Sequence, residues 1–438
     1  MNTLVIKIFR ALTRKIFVLA CAASLVFQGT VSAQVSDVID VVAASRDKLA
    51  GCEGPYRFDA PGLTPAPKGY VPFYISHYGR HGSRYAWNSG TYTVIKKVLD
   101  AATDANALTE RGRRLYEDFN AFYLEPLVNT GDLSDLGMTQ HMEIARIMCE
   151  SFPEVFKDGG RILARASTSQ RAIVSMNAFT VSLQKNAPKV QIEVNSLHTN
   201  LPVTNPTGAP KEIAEYYEGE VLVPESTRTF RDRMTDYDAI LGKLFTDRGF
   251  LEEIGGRRDF VYELFNLWAG YHNYCDGEWL EDIFTKDQLL KAWEVENYSV
   301  YAGHSRNRYR MIPLLKDIIA LADEAILTGE YKGHFRFGHD TIVNAFCPLL
   351  NIAGSGYEPD KPEDVKYWFQ NYDTPKAANI QFVLYRSKKS PEILFKLLRN
   401  GREVSLPQIK PVAGPYYRWD DLKSWAASLM EAHPLIQR

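Results

Sequence analysis

Two rhythms alternate along the chain: short apolar runs that stop in polar, glycine-punctuated turns, and longer stretches where apolar residues return every three or four positions. Runs of the first kind read as buried strands. Val71 to Ile75 is one, and it stops in Ser76-His77-Tyr78-Gly79-Arg80-His81-Gly82-Ser83-Arg84, a segment suited to turning a strand into a helix. Arg161 to Ala166 is a second, leading through Ser167-Thr168-Ser169-Gln170-Arg171 into a helix that ends near Lys185. A third runs through His334-Phe335-Arg336-Phe337-Gly338 to His339-Asp340, with a helix over Ile342 to Leu350. Val190 to Val194 and Ile380 to Tyr385 complete the strand candidates, and Asn400-Gly401 marks a hairpin turn. Helical spacing covers Val35 to Leu49, Tyr92 to Ala102, Leu108 to Tyr123, Leu133 to Phe152 and Arg306 to Leu327; Ser134 and Asp135 supply an N-cap to the fourth.

From about Pro206 to Tyr298 the pattern changes to charged and aromatic residues at helix spacing, in Glu212 to Tyr217, Arg228 to Leu244 and Arg258 to His272. With 438 residues, the chain exceeds the size at which one core keeps growing, so an inserted second body is expected. The expected fold is therefore α/β: a three-layer α/β domain with a central mixed sheet, formed by residues 34–205 and 299–438. An α-helical insertion domain spans 206–298, joined by parts of 96–132.

Residues 1–33 read as a secretory signal peptide, with Lys7, Arg10, Arg14 and Lys15 before an apolar run from Ile16 to Phe27 and a small-residue site at Val31-Ser32-Ala33. The expected location is periplasmic or secreted. Cys21 offers an alternative as a lipid-anchored residue, although the apolar run continues past it. No later stretch approaches the roughly 20 apolar residues of a transmembrane helix. Losing the four basic residues of the leader shifts the formal charge from -2 to -6. Such a balance argues against nucleic acid as a partner, and any anion must be met by a local arginine cluster. Cys52, Cys149, Cys275 and Cys347 then form an even set that allows up to two disulfides or free buried thiols.

Arg80-His81-Gly82-Ser83-Arg84 places two guanidinium groups around one imidazole, beside a glycine that lets backbone approach a ligand closely. That combination suits phosphate. Arg171 and His339-Asp340 end two further strand candidates, and three such ends can meet in one crevice. The sequence as a whole resembles the histidine phosphatases of the acid phosphatase and phytase branch, the bacterial inositol polyphosphate phosphatases above all. The likeness extends from about Tyr70 to Leu406, through Arg80-His81-Gly82-x-Arg84, Leu133-Ser134-x-x-Gly137-x-x-Gln140, Arg165-Ala166-Ser167 with Arg171, Phe337-Gly338-His339-Asp340-Thr341 and Leu397-Leu398-x-Asn400-Gly401-Arg402-Glu403-Val404.

The resemblance implies that His81 is the nucleophile, that Arg80, Arg84, Arg171 and His339 hold the phosphate, and that Asp340 protonates the leaving oxygen. It implies no metal and no cofactor, and a small-molecule phosphate monoester, an inositol polyphosphate such as phytate, as the partner. Ala86 stands where many phytases of this branch carry proline, and His339-Asp340-Thr341 replaces the His-Ala-Glu of several inositol polyphosphate phosphatases, so a general acid or sugar-phosphate phosphatase remains the alternative. Two rivals use the same residues otherwise: a metal-dependent hydrolase with His77, His81, His339 and Asp340 as ligands, and a periplasmic binder of phosphate esters. His77 could back the nucleophile or cap the strand end. His141, His198, His272, His304 and His433 read as surface or satisfied polar groups, and Trp268, Tyr271, Tyr274 and Trp279 as helix-packing core or a lid.

Overall fold

The computed structural model describes residues 38–206, 225–254 and 256–433. The expected leader with Cys21, and the expected helix at Glu212 to Tyr217, lie outside the described residues. The main strands are β1 (Tyr70–Arg80), β2 (Gly160–Ala166), β3 (Val190–Asn195), β4 (Tyr331–Gly338), β5 (Asn379–Ser387) and β6 (Ser390–Arg399), followed by the two-residue β7 (Arg402–Glu403) and β8 (Tyr417–Arg418). They form one sheet in the order β3-β2-β4-β1-β5-β6-β7, with β8 pairing to β6. The pairs β2/β3, β2/β4 and β1/β4 are parallel, and β1/β5 and β5/β6 antiparallel, so the sheet is mixed.

Helices cover both faces, giving the three layers expected from sequence. On one face Tyr74 and Tyr78 of β1 pack with Leu315 and Ile318 of the helix Ile312–Thr328 and Phe346 of the helix Asp340–Leu349. On the other, Ile75 joins Ile144 of the helix Asp135–Ser151 and Phe179 of the helix Gln170–Asn186. Because β1 is buried on both sides, its apolar pattern is near-continuous instead of alternating. It also runs five residues further than the apolar run suggests, since the backbone of Ser76–Arg80 still pairs with β4 and β5 although its side chains are polar.

Helix boundaries shift for local reasons. Arg228 to Leu244 divides into Thr227–Met234 and Tyr237–Leu244, because the Asp236 carboxylate accepts from the Ala239 N–H and starts a new helix. Arg306 to Leu327 divides into a 3-10 segment, Ser305–Met311, and an α-helix that opens at Ile312-Pro313, where proline's missing N–H costs nothing. The Asn400-Gly401 turn, with φ of 53° and 76°, has the left-handed geometry that this pair favours, and it joins β6 to β7.

A separate helical body has its own core, in which Tyr92, Leu99 and Phe119 pack with Leu241, Leu264, Trp268 and Trp293. The helices Gly90–Asp104 and Glu110–Phe122 thus share an interior with those between 237 and 293. Cys52, Cys149, Cys275 and Cys347 are all unpaired. No helix among the described residues is long and apolar enough to cross a membrane.

Candidate active site

Three neighbouring parallel strands, β2, β4 and β1, end side by side: Ala166 lies against Phe337 and Arg80 against Gly338. The chain continues the ladder one step past each end, with the His81 N–H donating to the Gly338 carbonyl at 2.9 Å and the Ser167 N–H to the Phe337 carbonyl at 2.9 Å. Everything that follows these strands, His81 to Arg84, Ser167 to Arg171 and His339-Asp340, is therefore delivered to one crevice at the carboxyl edge of the sheet.

The loop after β1 is pressed onto the start of the helix Asp135–Ser151. A Cβ on Gly82 would lie 2.4 Å from the Gly137 carbonyl oxygen, and one on Gly137 would lie 2.2 Å from that of Ser83, so both positions need glycine. Ser134 caps the helix, its hydroxyl accepting from the Gly137 N–H and donating to the Asn273 carbonyl at 2.7 Å. Gln140 accepts the Ser83 N–H at 2.9 Å.

His81 is buried, and its Nδ1 lies 2.9 Å from the Gly82 carbonyl. A carbonyl only accepts, so the proton sits on Nδ1 and Nε2 keeps a free lone pair. Burial, and then Arg80, Arg84, Arg171 and His339, hold this imidazole well below its ordinary pKa. The Arg80 guanidinium is fully buried, donating to the carbonyls of Cys52 and Thr374 and to Asp340 Oδ2 at 2.6 Å. Arg84 donates to the Tyr85 carbonyl and lies 3.4 Å from Glu53 Oε1. Arg171, second residue of its helix, leaves its buried Nε without a hydrogen-bond partner among the described residues, and burial with the nearby Arg84 pushes it down to about 10. His339 stands edge-on to His81 with ring centroids 5.6 Å apart, its Nε2 2.9 Å from the Ser167 hydroxyl. Burial and Arg171 lower it to about 4. Asp340 begins its helix. Burial alone would raise its pKa, but Arg80, Lys376, Arg84 and His304 hold it far below the usual carboxylate range. All six residues singled out from sequence thus meet in one place.

The structure adds three groups. Glu53 binds Lys376 at 2.6 Å and lies 3.7 Å from Arg80, so it neutralises part of the arginine cluster from below. Burial opposes its ionisation, but Lys376, Arg84 and Arg80 bring it down to about 2. His304, read from sequence as a surface or satisfied polar group, lines the crevice and feels Asp340. These three come from a Gly/Pro loop, a helix end and a strand approach with no local pattern, and only the fold unites them. His77 neither caps β1 nor backs His81: its ring is buried among Phe179, Phe335 and Phe337, with centroids 5.3 to 5.8 Å away. No group of three or more His, Cys, Asp or Glu among the described residues is placed to hold a metal ion. His141 is likewise buried, against Phe337, and not on the surface. Of the aromatic residues in the helical body, Trp268 and Tyr271 are core, whereas Tyr274 stacks on Tyr85 at 4.7 Å and lines the crevice.

Solved structures that share this architecture include the multiple inositol polyphosphate phosphatase of Bifidobacterium longum bound to inositol hexasulfate, at 21% identity and TM-score 0.71, covering 87% of this chain and 98% of that one. The phytase from D. castellii aligns at 18% identity and TM-score 0.67 over 88% of this chain and 85% of its own. The Hafnia alvei phytase aligns at 13% and 0.54 over 85% and 99%. No family profile matches the sequence, and no curated protein does. At these identities the likeness is one of fold.

Proposed function

We propose that the chain is a phosphomonoesterase that works through a phosphohistidine on His81, without a metal, on inositol polyphosphates. The observation that carries this reading is the meeting of Arg80, Arg84 and Arg171 around a neutral imidazole whose Nε2 is free, with the Asp340 carboxyl beside it. Phosphoryl transfer spreads charge over three equatorial oxygens, and fixed guanidinium groups supply the stabilisation there. His81 Nε2 forms a bond to phosphorus as the ester P–O bond breaks, and the Asp340 carboxyl gives its proton to the departing oxygen. Water then attacks phosphorus, Asp340 takes the water's proton, the N–P bond breaks, and inorganic phosphate leaves.

Asp340 starts this cycle paired with Arg80. An arriving phosphate dianion takes over the guanidinium groups, weakens that pairing and lets the carboxyl hold a proton. The deciding experiment combines a variant with a trapped intermediate. His81→Ala should lose at least a thousandfold in kcat/KM towards p-nitrophenyl phosphate, wild type should give an acid-labile, alkali-stable phosphoenzyme, and EDTA should leave turnover intact. Undiminished turnover in His81→Ala would sink the proposal.

A second reading, a sugar-phosphate phosphatase, is favoured by one observation: among the described residues, arginine and lysine enter the crevice lining only as Arg84 and Arg171.

A further inference from the structure

The crevice has a cavity volume of about 450 Å³, and its two sides differ in charge. At the sheet edge Arg84 and Arg171 line the crevice together with His81, and Arg80 stands close enough to add to their field at the imidazole. The opposite wall comes from the helical body and, among the described residues, carries no cation of that kind. Thr91 donates to Glu263 at 2.8 Å and Asn266 donates to the same carboxylate at 3.1 Å, so these three satisfy one another. Beside them Glu296 lines the crevice with no hydrogen bond or ion pair among the described residues. The charged groups that face it are Arg231, Glu53, Asp340 and Glu263. Arg231 lines the adjoining cavity, not this one, and lies over the Tyr262 ring at 3.9 Å. Burial and the three carboxylates outweigh it and raise the Glu296 pKa, the mark of a carboxyl short of partners.

A cyclitol with one phosphate between the arginines turns its other substituents towards this wall. A free hydroxyl there donates to the unpartnered carboxylate and removes its deficit. A second phosphate in the same place sets a dianion against a carboxylate, and none of the described residues lining that side of the crevice carries a guanidinium or ammonium to receive it. We propose that Glu296 makes this crevice select lower inositol phosphates, those with one phosphate at the arginine cluster and free hydroxyls opposite, and turn away the fully phosphorylated ring. The inference rests on the phosphomonoesterase reading; within it, rings with fewer phosphates take the place of phytate as the substrate.

The test compares kcat/KM of the full-length protein for myo-inositol 1-phosphate and myo-inositol hexakisphosphate, with p-nitrophenyl phosphate as a reference for the chemistry. Wild type should favour the monophosphate at least tenfold. Glu296→Gln, which keeps shape and removes charge, should narrow that preference at least fivefold, and Glu296→Lys should reverse it. The inference is overturned if wild type lacks the tenfold preference, or if Glu296→Gln turns over p-nitrophenyl phosphate yet shifts the ratio less than twofold. Should Glu296→Lys not fold, Glu296→Gln alone decides. Absence of turnover by wild type on all three substrates would instead remove the phosphomonoesterase reading itself.

Discussion

Four cations and two carboxylates share the floor of the crevice, and the residue that balances them is Glu53. Its two oxygens reach Lys376 at 2.6 Å, Arg84 at 3.4 Å and Arg80 at 3.7 Å. Lys376 is fully buried, and burial followed by Arg84 drives its ammonium well below the ordinary pKa. Removing the carboxylate would leave that charge with no ion-pair partner among the described residues, a defect that costs about 3–5 kcal/mol in buried pairs. Glu53→Gln should accordingly lower unfolding stability by about that amount, read as the shift in a denaturant midpoint at constant slope; a change below 1 kcal/mol would contradict the account. The acid response follows from the same group. Its folded pKa of about 2 lies below the ordinary 4.5, so the unfolded chain binds the extra proton, and this share of stability is complete above pH 4.5 and lost as pH falls towards 2. Nothing in the local sequence around Glu53 announces this role. Arg80, His81 and Arg84 were legible because they stand within five residues, whereas the Glu53–Lys376 pair spans 323 positions.

At the scale of elements, strand ends and helix starts do the positioning, and a glycine pair sets how closely they meet. Gly137 lies in the first turn of the helix Asp135–Ser151, where glycine normally costs about 1 kcal/mol against alanine. Propensity alone would make Gly137→Ala stabilising. The added methyl would lie 2.2 Å from the Ser83 carbonyl oxygen and 2.8 Å from both the Ser83 nitrogen and Leu133 Cδ1, so the loop carrying His81 must move instead. A displacement near 1 Å at a reacting group costs on the order of a hundredfold. Gly137→Ala should therefore reduce kcat/KM about a hundredfold. Gly242→Ala, in the helix Tyr237–Leu244 with open space around it, should raise stability by about 1 kcal/mol and leave kcat/KM alone. Comparable effects of the two would refute the close-approach argument. Elements of this kind were readable where one period dominates, as in β2 or the helix Gln170–Asn186. They were misjudged where burial on both faces or a cap overrode the pattern, as at Ser76–Arg80 and Asp236.

For the molecule as a whole, the layered α/β architecture followed from strand–turn–helix order, but the joint between sheet and helical body did not, because it rests on contacts between distant segments. Asn273 is the clearest of these. Buried just after the helix Arg257–Gly270, it accepts from the Ser83 hydroxyl at 2.7 Å through its side chain and from the Ser134 hydroxyl at 2.7 Å through its backbone. Its amide donates to the Glu53 carbonyl at 2.7 Å and the Gly270 carbonyl at 2.8 Å. One side chain thus ties the loop bearing His81 and the segment bearing Glu53 to the body that supplies Glu296. Asn273→Ala leaves a buried hydroxyl and two buried carbonyls short of a partner, each worth about 1–3 kcal/mol. We expect a stability loss of about 2 kcal/mol or more, together with at least a tenfold fall in kcat/KM, since the loop loses its tether along with the interface. In a Trp419→Phe, Trp425→Phe background, which removes the tryptophans of the sheet's core, tryptophan fluorescence reads chiefly the helical body, where Trp268 and Trp293 are buried, and far-ultraviolet circular dichroism reads the whole chain. If Asn273 couples the two bodies, the transitions that these probes report should coincide in wild type and separate in the variant. Coincident transitions and unaltered turnover in Asn273→Ala would mean that apolar packing alone holds the helical body over the crevice.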